Sequence, residues 1–361
     1  MPWLLSAYRQ ARGAGGGSKD RLAPHELSAI GKAVRKLSQG LTRERALAGE
    51  RYLEDPQLRA AYLLFYWPIS YAQARRVLSE LPGQLGDVLD LGCGAAPAAF
   101  AALDAGARRA TGSDRSKPAL DIAGFLAQRR DLPLRLGRWS DGQKLPDGHY
   151  DLIVCQHLLN ELPAVERLKL CHELLLRLRP HGTLLLLEPA LRATSRDLLA
   201  LRDVLVSEGH AIRAPCLWRG ACQALDRPSD WCHGEREWDP PELVVQIARA
   251  AGLHKESLKM SYLAVAPSGE TWRDPPPGRV LRIVSERLAG KGRTRYIGCG
   301  PEGRMGLALQ DKHLGAGNAL FSDLQRGDVV RLTGTTQRGD GLALESDSTV
   351  TLVAEASTPV P

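Results

Sequence analysis

Hydrophobic and polar positions along this chain change their period twice, and the changes divide it. Between 21 and 81 the apolar residues recur at helical spacing. In "PHELSAIGKAVRKLSQGL", Leu27, Ile30, Val34, Leu37 and Leu41 fall three and four residues apart, one face of an amphipathic helix. "DPQLRAAYLLFYWPISYAQARRVLSEL" reads as two helices broken or kinked at Pro68, because proline cannot donate the helical hydrogen bond. Its aromatics Tyr62, Phe65, Tyr66, Trp67 and Tyr71 read as core.

After Leu85 the pattern becomes short apolar runs alternating with amphipathic stretches. "GDVLDLG", "ARRATGSD", "PLRLGRW", the start of "YDLIVCQHLLNEL", and "TLLLLEP" read as strands. "AAFAALDAG", "KPALDIAGFLAQR" and "AVERLKLCHELLLRLRPHG" read as helices, the last with a glycine stop. Such alternation predicts a parallel sheet covered on both faces, an α/β fold of Rossmann-like type. "PELVVQIARAAGL" and "HKESLKMSYLAVA" add a helix and one or two strands.

Beyond "PSGETWRDPPPGR" the pattern is all-β. "RVLRIVSE", "RTRYIGCG", "RMGLALQ", "DVVRLTGT" and "STVTLVAE" predict five short strands with Gly-rich turns, suggesting a small OB-like β-barrel. The expected division is a basic helical region over 1–84, an α/β domain over 85–266, a linker over 267–278 and the barrel over 279–361.

Composition narrows the class. The chain has 361 residues, 43% of them hydrophobic and 25% charged, which is globular. No apolar run approaches the ~20 residues that span a bilayer. "MPWLL" is too short for a signal-peptide core. The following "SAYRQARGAGGGSKD" weakly resembles an organelle presequence, and a flexible Gly-rich start is the plainer reading. Seven cysteines in a chain this long point to a reducing compartment rather than a disulfide framework. The expected location is the bacterial cytoplasm, with the mitochondrion as the alternative. Of the +7 net charge, residues 1–85 hold +6, residues 86–278 hold −1 and residues 279–361 hold +2. A basic first segment suits contact with a polyanion, and a solvated helical surface would look the same.

The chemistry begins at "VLDLGCGAAPAAFAAL", a strand, a glycine turn and a helix. The first βα turn of an open α/β sheet is where nucleotides bind, and Gly92 and Gly94 let a ligand approach the backbone. D-x-G-x-G differs from the dinucleotide fingerprint. It lacks a third glycine and places Asp90 in the strand end, which suits an amino group better than a pyrophosphate. Asp114 closes the next strand, where a carboxylate can bridge ribose hydroxyls. Asp141, after the third strand, could accept from an adenine amino group. These residues resemble those of class I S-adenosylmethionine-dependent methyltransferases over roughly 85–266. The resemblance implies that Asp90, Gly92 and Gly94 flank the methionine part of the cofactor. It also implies that Asp114 holds the ribose, Asp141 sits at the adenine, and "CQHLLNEL", with Gln156, lines the methyl-donor pocket. His157, Asn160 and Glu161 could orient an acceptor or simply finish the fold. No motif for amino-directed or uracil C5 methylation accompanies them.

The second concentration of chemistry is "APCLWRGACQALDRPSDWCHGE". Cys216, Cys222 and Cys232 are spaced C-x5-C-x9-C, with His233 adjacent, and Cys299 lies in "RYIGCGPEG". Three thiolates in one loop and a fourth from the barrel make a four-ligand set for zinc or a [4Fe–4S] cluster. Tight zinc knuckles are absent, so the wide spacing suits the cluster better. Such a centre would tie the two domains together. Cys155 and Cys171 fit a strand and a helix face.

Three blocks of the chain together resemble one family, the Rsm-twenty-two-type ribosomal small-subunit methyltransferase-like proteins of bacteria and mitochondria. They are "RYLEDPQLRAAYLLFYWPISYAQARRVLSEL", "APCLWRGACQALDRPSDWCHGER" and "GRVLRIVSE…RYIGCGPEGRMGLALQDK…FSDLQRGDVV". The resemblance implies association with the small ribosomal subunit or its rRNA, S-adenosylmethionine as cofactor, and a [4Fe–4S] site on Cys216, Cys222, Cys232 and Cys299. It implies either an rRNA methyltransferase or a non-catalytic assembly factor. A small-molecule methyltransferase with a structural zinc is the third alternative. No membrane partner is expected, and the chain is expected to be a monomer off the ribosome.

Overall fold

A computed structural model of the chain describes residues 1–13, 21–83, 85–274 and 277–354. Part of the expected linker, the glycine run near the start and the last residues lie outside these.

Three helical stretches open the chain. α1 (Pro2–Ala11) buries Leu4, Leu5, Ala7 and Tyr8, so the start of the chain is a packed helix, not a flexible lead. The glycine run that prompted the other reading falls outside the described residues. α2 (Pro24–Ser38) buries Ile30, Val34 and Leu37 and has Glu26 accepting from the Ala23 N–H at 2.8 Å, one half of a capping box, since the Ala23 side chain offers no acceptor. α3 (Pro56–Ala61) starts at Asp55, whose carboxylate accepts from the Gln57 and Leu58 N–H groups. α4 (Trp67–Leu78) follows α3 through a π-helical turn over Tyr62–Tyr66. The expected break at Pro68 is therefore a bulge. The widened turn precedes the missing proline N–H, so the helix continues with an extra residue instead of stopping.

The α/β part runs β1 (Asp87–Leu91), α5 (Pro97–Asp104), β2 (Arg109–Asp114), α6 (Lys117–Arg129), β3 (Leu134–Arg138), β4 (Tyr150–Gln156), α7 (Ala164–Leu175), β5 (Leu178–Pro189), α8 (Arg192–Ser207), β6 (Ile212–Ala214), β7 (Gly234–Glu237), α9 (Glu242–Ala251) and β8 (Ser257–Val265). The sheet order is β3-β2-β1-β4-β5-β8-β6, with β7 also on β8. β1 to β5 are parallel, whereas β8 is antiparallel to β5, β6 and β7. This is a Rossmann-like α/β fold with a mixed sheet. Leu184, Leu185, Leu186 and Leu187 are all inaccessible, as a strand covered on both faces requires.

Two sequence expectations needed correction here. α7 ends at Leu175 rather than at the glycine, because Pro180 already belongs to β5. α8, with Leu198, Leu201 and Leu205 buried on one face, went unread although its spacing is helical.

The last part holds β9 (Arg279–Ile283), β10 (Leu288–Gly290), β11 (Arg293–Gly300), β12 (Gly303–Gln310), β13 (Val329–Arg338) and β14 (Gly341–Ala354). β9 pairs with β11 and β13, β11 with β12, β12 with β14, and β14 with β13. Those pairings close a ring around Leu281, Tyr296, Leu307, Phe321, Val330 and Leu344. β10 hangs on β11 outside it and is a sixth strand beyond the five expected.

Candidate functional site

β1 carries Asp90 to the carboxyl edge of the sheet, and the chain turns through Gly92 and Gly94 at φ of +69° and +55°. These conformations favour glycine. A Cβ on Gly94 would stand 2.8 Å from the Tyr62 Oη, so the turn is also crowded from outside. Asp90 is buried and accepts from the Ala99 N–H in the first turn of α5 at 2.8 Å. Burial pushes its carboxyl up to about 7, with the Asp114 charge adding to the rise and the Ala99 bond opposing it. Asp114 accepts from the Gly94 N–H (2.7 Å) and the Ser116 N–H (2.8 Å). It therefore fastens the glycine turn to the next βα turn, and each oxygen keeps a further lone pair for a ligand.

A cavity of about 290 Å³ opens above this turn. Asp90, Gly92, Gly94, Asp114, Asp141, Gln156, His157 and Glu161 all border it. Asn160 does not. Its Oδ1 accepts from Arg45 at 2.9 Å and its Nδ2 donates to the His157 carbonyl, so this candidate holds its own loop rather than facing the cavity. Gln156 donates to the Ser70 carbonyl, leaving its Oε1 buried without a partner. The Nδ1 of His157 is likewise buried and unpartnered. Burial pulls this imidazole down to about 4, helped by the Lys255 charge, so it is neutral at pH 7. Glu161 is pushed up to about 7 by burial, against the pull of Arg115 at 3.3 Å.

The far wall comes from the first helical region. Gly49, Glu50, Arg51, Tyr52, Leu53, Glu54 and Tyr62 border the same cavity, and Arg115 donates to the Glu50 carbonyl at 2.8 Å. Tyr62, read from sequence as core, is a cavity residue, placed by the π-helical turn. Pro68, two residues past that turn, is the one nearby signal in the sequence.

The second site lies between β6 and β7. Both strands pair the same edge of β8, so the cysteine loop leaves the sheet at Ala214 and returns at Gly234. Cys216, Cys222, Cys232 and Cys299 border one cavity of about 70 Å³, so the fold brings Cys299 of the last part beside the loop cysteines. Arg202, Arg236, Arg282 and Arg304 border it as well. Arg202 is buried and donates to the Trp218 and Gly220 carbonyls, folding the loop around itself. Arg304 bridges from β12 to Asp230 at 2.5 Å. Burial raises all four thiols, that of Cys222 to about 12. Among the described residues, no three His, Cys, Asp or Glu side chains form a ready group for one metal ion. The expected four-cysteine metal centre is thus a convergence of thiols and not a preformed single-ion shell. His233 stacks on Trp231 with its Nδ1 unpartnered.

Among solved structures the chain is similar to several methyltransferases. CcbJ of Streptomyces caelestis matches at 22% identity over 33% of this chain and 49% of its own, TM-score 0.29, so the chain spans about half that relative's length. A putative class I S-adenosylmethionine-dependent methyltransferase of Listeria monocytogenes matches at 14% identity, covering 76% and 90%, TM-score 0.41. Magnesium protoporphyrin IX methyltransferase of Synechocystis, solved with S-adenosylhomocysteine, matches at 17% identity, covering 66% and 100%, TM-score 0.38. Comparison with curated proteins gives no match. The family model described as mitochondrial small ribosomal subunit Rsm22 matches residues 56–331, a span that takes in the π-helical turn, the glycine turn, the cysteine cavity and all four loop and ring cysteines, and leaves out residues 49–54 of the first cavity's far wall. The chain belongs to the Rsm22 family.

Proposed function

We propose that this protein binds S-adenosylmethionine at the glycine turn and works on or beside 16S-type rRNA of the small ribosomal subunit, in assembly or translation. The observation that carries the reading is the single cavity bordered by Asp90, Gly92, Gly94, Asp114 and Asp141 in a chain of this family. The residues fit the cofactor. Two side-chain-free positions leave room for a close approach, and the buried, unpartnered Gln156 Oε1 and His157 Nδ1 await a donor. Asp114 would take the ribose hydroxyls and Asp141 the adenine amino group. The cofactor, when bound, supplies an electrophilic methyl group, so the protein's share is alignment. His157, neutral at pH 7, can accept a proton or a hydrogen bond, and Glu161 beside Arg115 can orient an acceptor.

A second reading, a non-catalytic assembly factor, draws support from the same loop. Asn160 is engaged by Arg45 and Glu161 by Arg115, which leaves His157 as the one acceptor-side group without a partner. Tritiated cofactor separates the two. Methyl label in small-subunit rRNA that disappears in Asp114→Asn, with co-sedimentation retained, supports the enzyme. Wild-type protein that sediments with the subunit and leaves no label supports the assembly factor.

We further infer that Cys216, Cys222, Cys232 and Cys299 ligate a [4Fe–4S] cluster, with zinc as the alternative. Four thiols border one space, and four cysteine thiolates are the ligand set of such a cluster. The arginines would offset its negative charge. The remaining parts of the reading are an OB-like ring over 279–361, a basic helical region over 1–84 that shares its core with the 85–266 domain, residues 267–278 as linker, and a monomer off the ribosome. The compartment would be one with ribosomes and reduced thiols, the bacterial cytoplasm or the mitochondrion.

A further inference from the structure

The +2 net charge of residues 279–361 conceals a segregation. Arg279, Arg282, Arg304 and Arg338 are taken up in ion pairs with Glu302, Glu80, Asp230 and Glu345. Arg287, Lys291, Arg293 and Arg295 share one hairpin and, among the described residues, form no ion pair. Arg287 donates only to the Thr294 hydroxyl, at 3.3 Å.

Register puts these cations on one face. β10 and β11 pair with Leu288 opposite Arg295 and Gly290 opposite Arg293. Thr294 and Tyr296 turn inward and are buried, so Arg293 and Arg295 turn outward and are exposed. On the other side β12 sets Gln310 beside Arg293 and Ala308 beside Arg295. β14 then sets Ala343 beside Ala308 and Gly341 beside Gly306. A Cβ on Gly306 would meet no atom within 4 Å. The face is therefore a row of cations bordering a floor of glycine and alanine, with Leu288, 41% exposed, along its outer edge.

Unpaired like charges repel one another. Guanidinium groups match phosphate oxygens through two parallel hydrogen bonds. Arg293 and Arg295 repeat at about 6.8 Å along the extended strand, a linear array suited to a linear polyanion. The low floor leaves room for bases to lie against the sheet.

We propose that the outer face of β10, β11 and β12 is a track for the phosphate backbone of single-stranded RNA. The proposal rests on the ribosomal reading and adds to it the surface and the chemistry of contact. Because these contacts go to phosphate oxygens, they position RNA without reading sequence.

The test uses the full chain. Wild type and Arg293→Ala/Arg295→Ala are titrated with labelled single-stranded RNA of about 20 nucleotides at salt concentrations between about 50 and 200 mM, and both are pelleted with purified small subunits. Removing two phosphate contacts is expected to reduce the log–log salt slope by about 1.4, at about 0.7 each. Affinity should fall at every salt concentration with the melting temperature unchanged, and Arg293→Lys/Arg295→Lys should keep the slope. An equal slope in wild type and the alanine variant overturns the track. If wild type still pellets with subunits, the ribosomal reading survives that result. If wild type neither binds RNA nor pellets, the ribosomal reading falls and the track with it. A variant that keeps its RNA slope but no longer pellets assigns the face to an acidic protein and overturns the RNA proposal.

Discussion

Glu80, just past α4, accepts from Arg282 of β9 at 3.1 Å across 202 positions of chain. Arg236 and the Tyr262 hydroxyl donate to the same carboxylate at 2.5 and 2.8 Å. One anion thus joins the first helical region, the sheet edge and the ring, directly behind the cysteine cavity.

Burial alone would raise the Glu80 carboxyl, but Arg282 and Arg236 outweigh it and hold the group down to about 2. A carboxylate lowered in the folded state stabilises above its ordinary value near 4.5 and loses that contribution as pH falls towards 2. Glu80→Gln should cost about 3–5 kcal/mol, because two guanidinium groups lose their buried counter-charge. Urea unfolding at pH 7 and at pH 4 checks this. A variant as stable as wild type at pH 7 would refute the knot.

At the glycine turn, Gly94→Ala should weaken cofactor binding at least about tenfold, or about 1.4 kcal/mol. The left-handed backbone disfavours a Cβ, and the new methyl would meet the Tyr62 Oη. Adding Tyr62→Phe removes that oxygen and should recover part of the loss. Calorimetric titration with S-adenosylmethionine measures both, and equal affinity in Gly94→Ala and wild type argues against the assigned pocket.

Glu188 closes β5, fully enclosed, with Oε1 accepting from the Leu159 N–H and Oε2 unpartnered. Burial pushes it up to about 8, only partly opposed by its bonds from Asn160 and Leu159. A carboxyl raised in the folded state contributes fully below about 4.5 and loses that contribution as pH rises through about 8. Glu188→Gln should therefore gain on wild type between pH 5.5 and 8.5, by roughly 3 kcal/mol. Asp90 and Glu161, both raised to about 7, remain in the variant, so the pH dependence flattens without vanishing. Denaturant midpoints at the two pH values decide it, and parallel curves would count against it.

Protein prepared without oxygen should be brown, with broad absorbance near ~400 nm and iron and sulfide in equal amounts. Cys299→Ser should lose the colour and lower the melting temperature, since the ring then keeps only its polar and apolar contacts with the sheet. Colourless protein carrying one zinc would transfer the site to the zinc alternative.

Much of this was legible in the chain. Strand and helix follow from periods of two and of three to four residues, which are local, so β1 to β5 and α2 to α6 could be read one segment at a time. The glycine turn with Asp90 and Asp114 was legible for the same reason, being built within 25 residues of continuous sequence. Where two local signals competed the reading failed. The leucines before Pro180 looked like more helix, and Pro68 looked like a stop.

By itself the sequence determined the α/β alternation, the glycine turn with its two carboxylates, and the family. Only the tertiary structure decided what meets across the chain. It brought Cys299 to the loop thiols, Tyr62 and residues 49–54 to the cavity above the glycine turn, Glu80 to Arg282, and Asn160 away from that cavity to Arg45. It also decided which arginines of the ring are neutralised and which stand free on β11. Periodicity tells which face of a segment is apolar, whereas the partner of a charge or a thiol depends on how separate segments pack, and no local pattern records that.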